Sequence, residues 1–266
     1  MKRVLLTGAA GTLGKAMRRT LAGWAEELVL SDLVEITDLN PGESFKACDL
    51  ADFDAVKTLV KGCDGIIHLG GQSIEGTFES ILNGNLKGTY HIYEAARQHQ
   101  VTRIFFASSN HVVGFHSRET RLDADSPMRP DSLYGVSKGF GELLARYYFE
   151  KFGIESALVR IGSCLPKPLD RRMLSTWLSE EDMADLVKCV FSVNRLACTV
   201  VYGASNNPWS WWDNRKANFL GWQPKDSSAQ FETEVLSQDP LMDRDHPALL
   251  FQGGFFATAG HFEDDD

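Results

Sequence analysis

The strongest constraint on the fold is a glycine-rich turn near the N-terminus, between an apolar run and an amphipathic segment. The run Val4–Leu6 shows no alternation of polar and apolar residues, which is typical of a strand buried on both faces. Glycines follow at Gly8, Gly11 and Gly14, and a helical pattern of apolar residues then continues to Trp24. Such glycines let a phosphate approach the backbone at the N-terminus of the helix. The order strand, turn, helix therefore predicts a dinucleotide site.

The rest of the chain continues this alternation of short apolar runs and amphipathic segments. Further strands are predicted at Glu27–Ser31, Ser44–Ala47, Asp64–Leu69, Arg103–Ala107, Ser156–Ile161 and Thr199–Tyr202. Helices are predicted at Phe53–Lys61 with Asp52 as N-cap, at Phe78–His99, at Tyr134–Lys151 and after Ser179. This alternation predicts an α/β fold with a doubly wound parallel sheet of the Rossmann type.

The pattern is less regular in the last part of the chain. We therefore expect residues 1–160 to form a dinucleotide-binding core that also carries the catalytic groups. Residues 161–266 are expected to form a smaller substrate-covering region, packed on that core as a single compact unit.

Several candidate ligand-binding residues fall where predicted strands end. Gly8, Asp32, Gly70 and Ser109 all do so, and in doubly wound sheets ligands bind beyond the carboxyl ends of the strands. An acidic residue such as Asp32 can accept hydrogen bonds from an adenosine ribose and would repel a 2′-phosphate. No Lys or Arg follows it until Lys46, so NAD is favoured over NADP. The alternative is that Asp32 is a solvated loop residue.

A Tyr and a Lys stand four residues apart, at Tyr134 and Lys138. On a helix this spacing places both side chains on one face. A nearby ammonium favours the phenolate, so we predict that Lys138 lowers the pKa of Tyr134 and makes it a general base for an alcohol. The alternative is an ordinary amphipathic helix with a surface lysine.

Two other polar residues have equally open interpretations. Arg172 lies in a loop past a predicted strand, where a guanidinium can clamp a carboxylate or simply contribute surface charge. Asn85 stands inside a predicted helix, either as a buried hydrogen-bonding group or as a surface residue.

Composition narrows the classes of partner. A net charge of -9 argues against nucleic acid or an anionic membrane, and no apolar run is long enough to span a bilayer. The five cysteines are scattered with no Cys-x-x-Cys pair, which favours reduced thiols in the cytoplasm and no metal site. We expect a homo-oligomer, with Phe255 and Phe256 at a subunit interface or, equally, in the core.

Together these motifs resemble the extended short-chain dehydrogenase/reductase family over essentially the whole chain. The matching stretches are Gly8–Gly14, Asp32, Asp49–Leu50, His68–Gly71, Ser108–Ser109, Tyr134–Lys138, Leu178–Ala184 and Leu220–Pro224. The resemblance implies that Ser109, Tyr134 and Lys138 form the catalytic set. It implies an NAD site formed by Gly8, Gly11, Thr12, Leu13, Asp32, Leu33, Asp49, Leu50, Leu69, Gly70, Gly71, Asn85, Ser108, Tyr134, Lys138 and Ile161.

Within this family the chain is most similar to the bacterial uronate dehydrogenase branch. The stretches that carry this likeness are His68–Ser73, Phe106–His111, Leu158–Cys164 and Arg172–Trp177. Members of the branch oxidise C1 of galacturonate or glucuronate with NAD and give an aldaro-lactone. The resemblance implies a hexuronate site formed by Ser73, Ser109, Asn110, His111, Tyr134, Ser163 and Arg172, with Arg172 on the carboxylate.

Two other functions are compatible with the same motifs. One is a nucleotide-sugar epimerase or dehydratase of the same fold, although dehydratases of the family carry acidic residues beside the catalytic Ser or Thr. Here Asn110 and His111 follow Ser109. The other is a non-catalytic NAD-sensing protein, against which the intact Ser109, Tyr134 and Lys138 argue.

Overall fold

The computed structural model describes residues 1–238 and 246–263. Its strands are β1 (Arg3–Thr7), β2 (Glu27–Asp32), β3 (Glu43–Ala47), β4 (Gly65–His68), β5 (Arg103–Ser109), β6 (Glu155–Ile161), β7 (Ser163–Cys164), β8 (Trp177–Leu178) and β9 (Cys198–Gly203). The α-helices are α1 (Thr12–Thr20), α2 (Phe53–Val60), α3 (Phe78–Ile81), α4 (Gly88–Gln98), α5 (Leu133–Phe152), α6 (Met173–Thr176), α7 (Glu180–Ser192), α8 (Glu232–Gln238) and α9 (Pro247–Leu250). Among these described residues, no helix is both long and apolar enough to cross a membrane.

The main sheet has seven strands in the order β3-β2-β1-β4-β5-β6-β9, and all neighbours are parallel. The chain moves outward from β1 to β3, returns to β4 beside β1, and then moves outward in the other direction. The crossover connections between parallel strands all have the same handedness. Helices α1 and α7 therefore lie on one face of the sheet, and α2, α4 and α5 lie on the other. Each face buries its own apolar cluster. The predicted doubly wound fold is confirmed.

The predicted helix at 78–99 is interrupted in the structure. Between α3 and α4 the backbone forms a π-helix, Leu82–Lys87, with the buried Asn85 inside it. The Asn85 amide accepts from the backbone N–H of Gln72 (2.7 Å) and donates to the Gln72 carbonyl (3.1 Å) and to the Ser137 hydroxyl (2.8 Å). The wider turn of the π-helix directs the Asn85 side chain toward the protein interior. Short π-helical segments of this kind are frequent at functional sites. Asn85 is therefore a buried hydrogen-bonding residue.

Helix α5 carries Tyr134 and Lys138, and both of its ends are well defined. Ser132 caps the first turn by accepting from the N–H of Gly135 (2.9 Å), and Gly153 ends the helix at a positive φ of 72°. These caps set where the helix begins, and so fix where Tyr134 stands relative to the sheet.

A buried ion pair joins α5 to the sheet. Arg160 of β6 donates to Glu142 from Nε (3.0 Å) and Nη2 (2.8 Å), and both side chains are only 2% exposed. Ser108 at the end of β5 donates to the same carboxylate (2.6 Å). Because each partner leaves an unpaired buried charge if the other is removed, the pair holds α5 firmly against β5 and β6.

The substitution Glu142→Gln should therefore strongly destabilise the folded protein. We expect the free energy of unfolding to fall by about 3–5 kcal/mol, because Arg160 would be left as an unpaired buried cation. Urea unfolding at neutral pH measures the change. The matched control is Glu150→Gln on the same helix, an exposed residue that pairs with Arg146 at 3.5 Å and should cost less than about 0.5 kcal/mol. Equal losses in the two variants would contradict this role for the buried pair.

Candidate active site

Two adjacent cavities open beyond the carboxyl ends of the strands. The cleft has a volume of ≈ 630 Å³ and the pocket beside it ≈ 380 Å³, and they share Leu13, Leu69, Gln72 and Ser73 as lining residues. The predicted site residues that line the cleft are Gly8, Gly11, Thr12, Leu13, Asp32, Leu33, Asp49, Leu50, Leu69, Gly70, Gly71 and Ser73. Those that line the pocket are Leu13, Leu69, Ser73, Ser108, Ser109, Asn110, His111, Tyr134, Lys138, Ile161, Ser163 and Arg172. Of the predicted site residues, only Asn85 lines neither cavity. Its amide instead forms hydrogen bonds with the backbone of Gln72.

The glycine turn is shaped as an anion cradle. Gly8 has a φ of +70°, and a Cβ there would stand 2.9 Å from the backbone N of Gly70. A Cβ on Gly14 would stand 2.2 Å from the Gly8 carbonyl oxygen. Helix α1 begins after Gly11 with no side-chain cap and no acidic residue in its first turn. Its free N–H groups and the helix dipole therefore suit the pyrophosphate of a dinucleotide.

Asp32 stands at the end of β2, on the rim of the cleft. Its carboxylate accepts from the backbone N–H of Ala10 (3.0 Å) and of Val34 (3.1 Å), so it also braces the glycine turn. The neighbours Leu33 and Val34 are exposed and uncharged. An anion in this position suits ribose hydroxyls and opposes a 2′-phosphate.

His68 is buried within β4. Its Nδ1 is 2.8 Å from the Thr7 hydroxyl oxygen, which in turn accepts from the N–H of Gly70 (3.1 Å). Burial lowers the pKa of His68 to about 3, so the ring stays neutral. This residue orders the loop after β4 and is not placed to act as a base.

Tyr134 and Lys138 meet in the pocket, with the Lys138 ammonium 5.6 Å from the centre of the Tyr134 ring and 5.4 Å from that of Phe106. Burial raises the pKa of Tyr134 to about 12, and a hydrogen bond with Ser109 acts in the opposite direction. The prediction that Lys138 leaves Tyr134 with a lowered pKa is therefore wrong, because desolvation outweighs the hydrogen bond with Ser109 and the charge of Asp131 raises the pKa further. Burial also lowers the pKa of Lys138 to about 8.

Arg172 is held by neutral groups. Its Nε donates to the carbonyl of Gln252 (2.6 Å), and its Nη2 donates to the Asn110 amide oxygen (2.5 Å) while the amide nitrogen donates to the Ile161 carbonyl (3.0 Å). Within residues 1–238 and 246–263, no carboxylate forms an ion pair with Arg172. Burial lowers the pKa of Arg172 to about 10, and the charge of Asp170 opposes that shift. The pocket therefore contains a cation that an anionic ligand would neutralise.

The structure adds two residues that sequence reasoning missed, Asp131 and Glu75, and it places Phe256 in the pocket wall. Asp131 bonds to His111, and Phe256 stacks on the His111 ring with centroids 3.9 Å apart. Phe256 and Phe255 both line the pocket, and Phe255 is also 56% exposed. Glu75 accepts from the N–H of Leu133 (2.8 Å) at the start of α5. No sequence pattern links these partners, which stand 20, 145 and 58 positions apart.

Comparison with known proteins places the chain among NAD-linked enzymes. Residues 4–180 match the NAD dependent epimerase/dehydratase family. A uronate dehydrogenase of Agrobacterium fabrum is 54% identical over 96% of this chain and 97% of its own length. A glucuronic acid dehydrogenase structure from Chromohalobacter salexigens matches with a TM-score of 0.98 at 53% identity, covering 99% of both chains. A mutant uronate dehydrogenase of Agrobacterium tumefaciens, complexed with NAD, matches with a TM-score of 0.97 at 52% identity, covering 99% of this chain and 100% of that one.

Burial of Lys138 should cost stability in a pH-dependent way. Its pKa is about 8 in the folded protein and 10.5 when unperturbed, so the penalty for the buried ammonium is complete below pH 8 and disappears as the pH rises toward 10.5. We therefore expect Lys138→Met to be more stable than the wild type by about 1–3 kcal/mol at neutral pH, with a smaller gain near pH ~9.5. Urea unfolding at the two pH values measures this. The control Lys151→Met changes an exposed lysine of the same helix. A gain that does not change with pH would contradict the desolvation argument.

Proposed function

Because the chain belongs to the NAD dependent epimerase/dehydratase family, we propose that it is an NAD-dependent dehydrogenase acting on a free hexuronic acid. The reaction is oxidation of the C1 hydroxyl of galacturonate or glucuronate to the aldaro-lactone. The observation that carries the proposal is Arg172, a partly buried cation without a carboxylate partner in the described residues, in the same pocket as Ser109 and Tyr134. A guanidinium of this kind favours a substrate that brings its own carboxylate.

The cleft fits NAD as the cofactor. The glycine turn and the uncapped start of α1 would hold the pyrophosphate, and Asp32 would accept from the adenosine ribose. Lys138 would donate to the nicotinamide ribose, a hydrogen bond that its ammonium makes with no residue in the part of the chain that the structure describes. When bound, NAD supplies a positively charged ring that accepts the hydride from C1.

Tyr134 is proposed as the general base and Ser109 as its partner. The C1 hydroxyl of the cyclic uronate would lie between the two, and its proton would pass to the Tyr134 oxygen. Desolvation raises the pKa of Tyr134, and the positive charge of Lys138 opposes that shift because it favours the phenolate. Ser109 would orient the substrate oxygen as it gains carbonyl character. Arg172 and Asn110 would hold the carboxylate at the far side of the ring, with Ser73, Ser163 and His111 on its hydroxyls.

Two alternatives fit less well. A nucleotide-sugar epimerase or dehydratase must hold a nucleoside diphosphate, yet the ≈ 380 Å³ pocket is at the small end of the range for ligand sites, about 300–1,000 Å³. Phe255 and Phe256 also form part of its wall. A non-catalytic NAD sensor would have no need to keep Ser109, Tyr134 and Lys138 together in one pocket.

Three further points remain proposals. Residues 161–266 would form the substrate-covering part of the molecule, apart from α7 and β9, which belong to the main sheet and the helical layer on it. From this region Ser163, Arg172 and Phe256 line the pocket. A reducing cytoplasm suits the five free cysteines. A homo-oligomer is supported by apolar side chains exposed on α5, among them Val136, Leu143 and Tyr147.

The reaction can be tested directly. With NAD and galacturonate or glucuronate, we expect net formation of NADH, followed by its absorbance, and a lactone as the first product. An epimerase or dehydratase would keep its cofactor bound and release no NADH. Absence of NADH with both uronates would therefore reject the proposal.

The role of Tyr134 predicts a second result. Tyr134→Phe should lower turnover by about 10²–10⁴-fold, because the proton acceptor is lost, while the affinity for NAD stays close to that of the wild type. Steady-state kinetics and equilibrium binding of NAD measure the two effects. Tyr147→Phe, at an exposed position of the same helix, is the matched control. Turnover that survives in Tyr134→Phe would exclude Tyr134 as the base.

A further inference from the structure

The pocket contains a second ionisable pair that proton transfer at Tyr134 does not use. The Nδ1 atom of His111 lies 2.9 Å and 3.1 Å from the two carboxylate oxygens of Asp131. His111 lines the pocket beside Ser109 and Tyr134, and its ring meets that of Tyr134 edge-on at 5.9 Å. The His111–Asp131 pair therefore lies next to Tyr134, the proposed base.

The space around Asp131 is shaped for its carboxylate. The side chain is 0% exposed, and one oxygen also accepts from the Ser132 hydroxyl (3.0 Å). The other oxygen lies against two glycines: a Cβ would stand only 1.8 Å from it on Gly114 and 1.7 Å on Gly253. A carboxylate buried to this degree needs hydrogen-bond donors. His111 is its nearest side-chain donor, so Nδ1 carries the hydrogen.

The His111 ring is also fixed in orientation. Phe256 stacks on one face at 3.9 Å, and Phe256 follows closely after Gly253, which packs on Asp131. Within the described residues, the second ring nitrogen, Nε2, has no hydrogen-bond partner. In a neutral imidazole one nitrogen is a donor and the other an acceptor. With the hydrogen on Nδ1, Nε2 presents a lone pair.

We propose that Asp131 is a positioning residue that fixes the tautomer of His111, so that Nε2 accepts a hydrogen bond from one hydroxyl group of the substrate sugar. This inference rests on the proposed function, since it assumes a sugar acid in the pocket. Arg172 and Lys138 can only donate hydrogen bonds. Those cations can therefore bind only the oxygen of a substrate hydroxyl, whereas a fixed acceptor binds its O–H group.

The first test uses uronates that each lack one hydroxyl. In the wild type, one such analogue should lose roughly tenfold or more in kcat/KM, because Nε2 is left without its donor. In Asp131→Ala that selectivity should fall to within about twofold, and KM for the full uronate should rise while NAD affinity is kept. His111→Ala should lose the same selectivity, and the double variant should lose no more. Asp213→Ala, whose carboxylate binds Arg215 (2.8 Å), is the control and should keep it.

The second test needs neither substrate nor variant activity. Two-bond ¹⁵N–¹H correlation spectra of histidine-labelled wild type, with His111 assigned from the missing signals of His111→Ala, should show hydrogen on Nδ1 and none on Nε2. Hydrogen on Nε2 in the wild type, or unchanged selectivity in Asp131→Ala, would overturn the proposal. Absence of NADH formation with every uronate would instead reject the proposed function, and the spectra would still decide the tautomer.

Discussion

The pocket is organised around one partly buried cation that neutral groups hold by hydrogen bonds. Arg172 keeps its charge in an apolar setting because the Gln252 carbonyl and the Asn110 amide accept from it, and among the described residues no carboxylate completes an ion pair. A buried charge that is only partly compensated is costly. The segment after α9 and the end of β5 both position this guanidinium, which leaves it available to an anionic ligand.

The parallel sheet explains how distant parts of the chain meet at that cation. Strand β5 ends at Ser109 and β6 ends at Ile161, so the residues that follow each strand project from the same edge. Helix α5 must also be held at a fixed position along the sheet, so that Tyr134 reaches the same edge. The Glu142–Arg160 pair and the Ser132 cap provide this, at the cost of burying two charges under the pocket.

Local patterns in the sequence predicted the fold and most of the residues that line the two cavities. The glycine turn, Asp32, Tyr134 and Lys138 each depend on short-range spacing, which a sequence displays directly. What could not be predicted depends on burial or on distant contacts. The pKa of Tyr134 is set by desolvation, which spacing does not reveal. The inward turn of the backbone at Asn85 depends on its contact with Gln72, and the approach of Phe256 to His111 joins the two ends of the pocket wall across 145 positions.

The central claim is that Arg172 selects an anionic sugar, and a ratio of specificities tests it most directly. The measurement is kcat/KM for galacturonate against that for galactose, in the wild type and in Arg172→Met, with Arg171→Met as the neighbouring control outside the pocket lining. We expect Arg172→Met to lose roughly a hundredfold or more with galacturonate and little with galactose, so that the ratio collapses. An equal loss with both sugars would contradict the account, because Arg172 would then support the pocket without recognising the carboxylate.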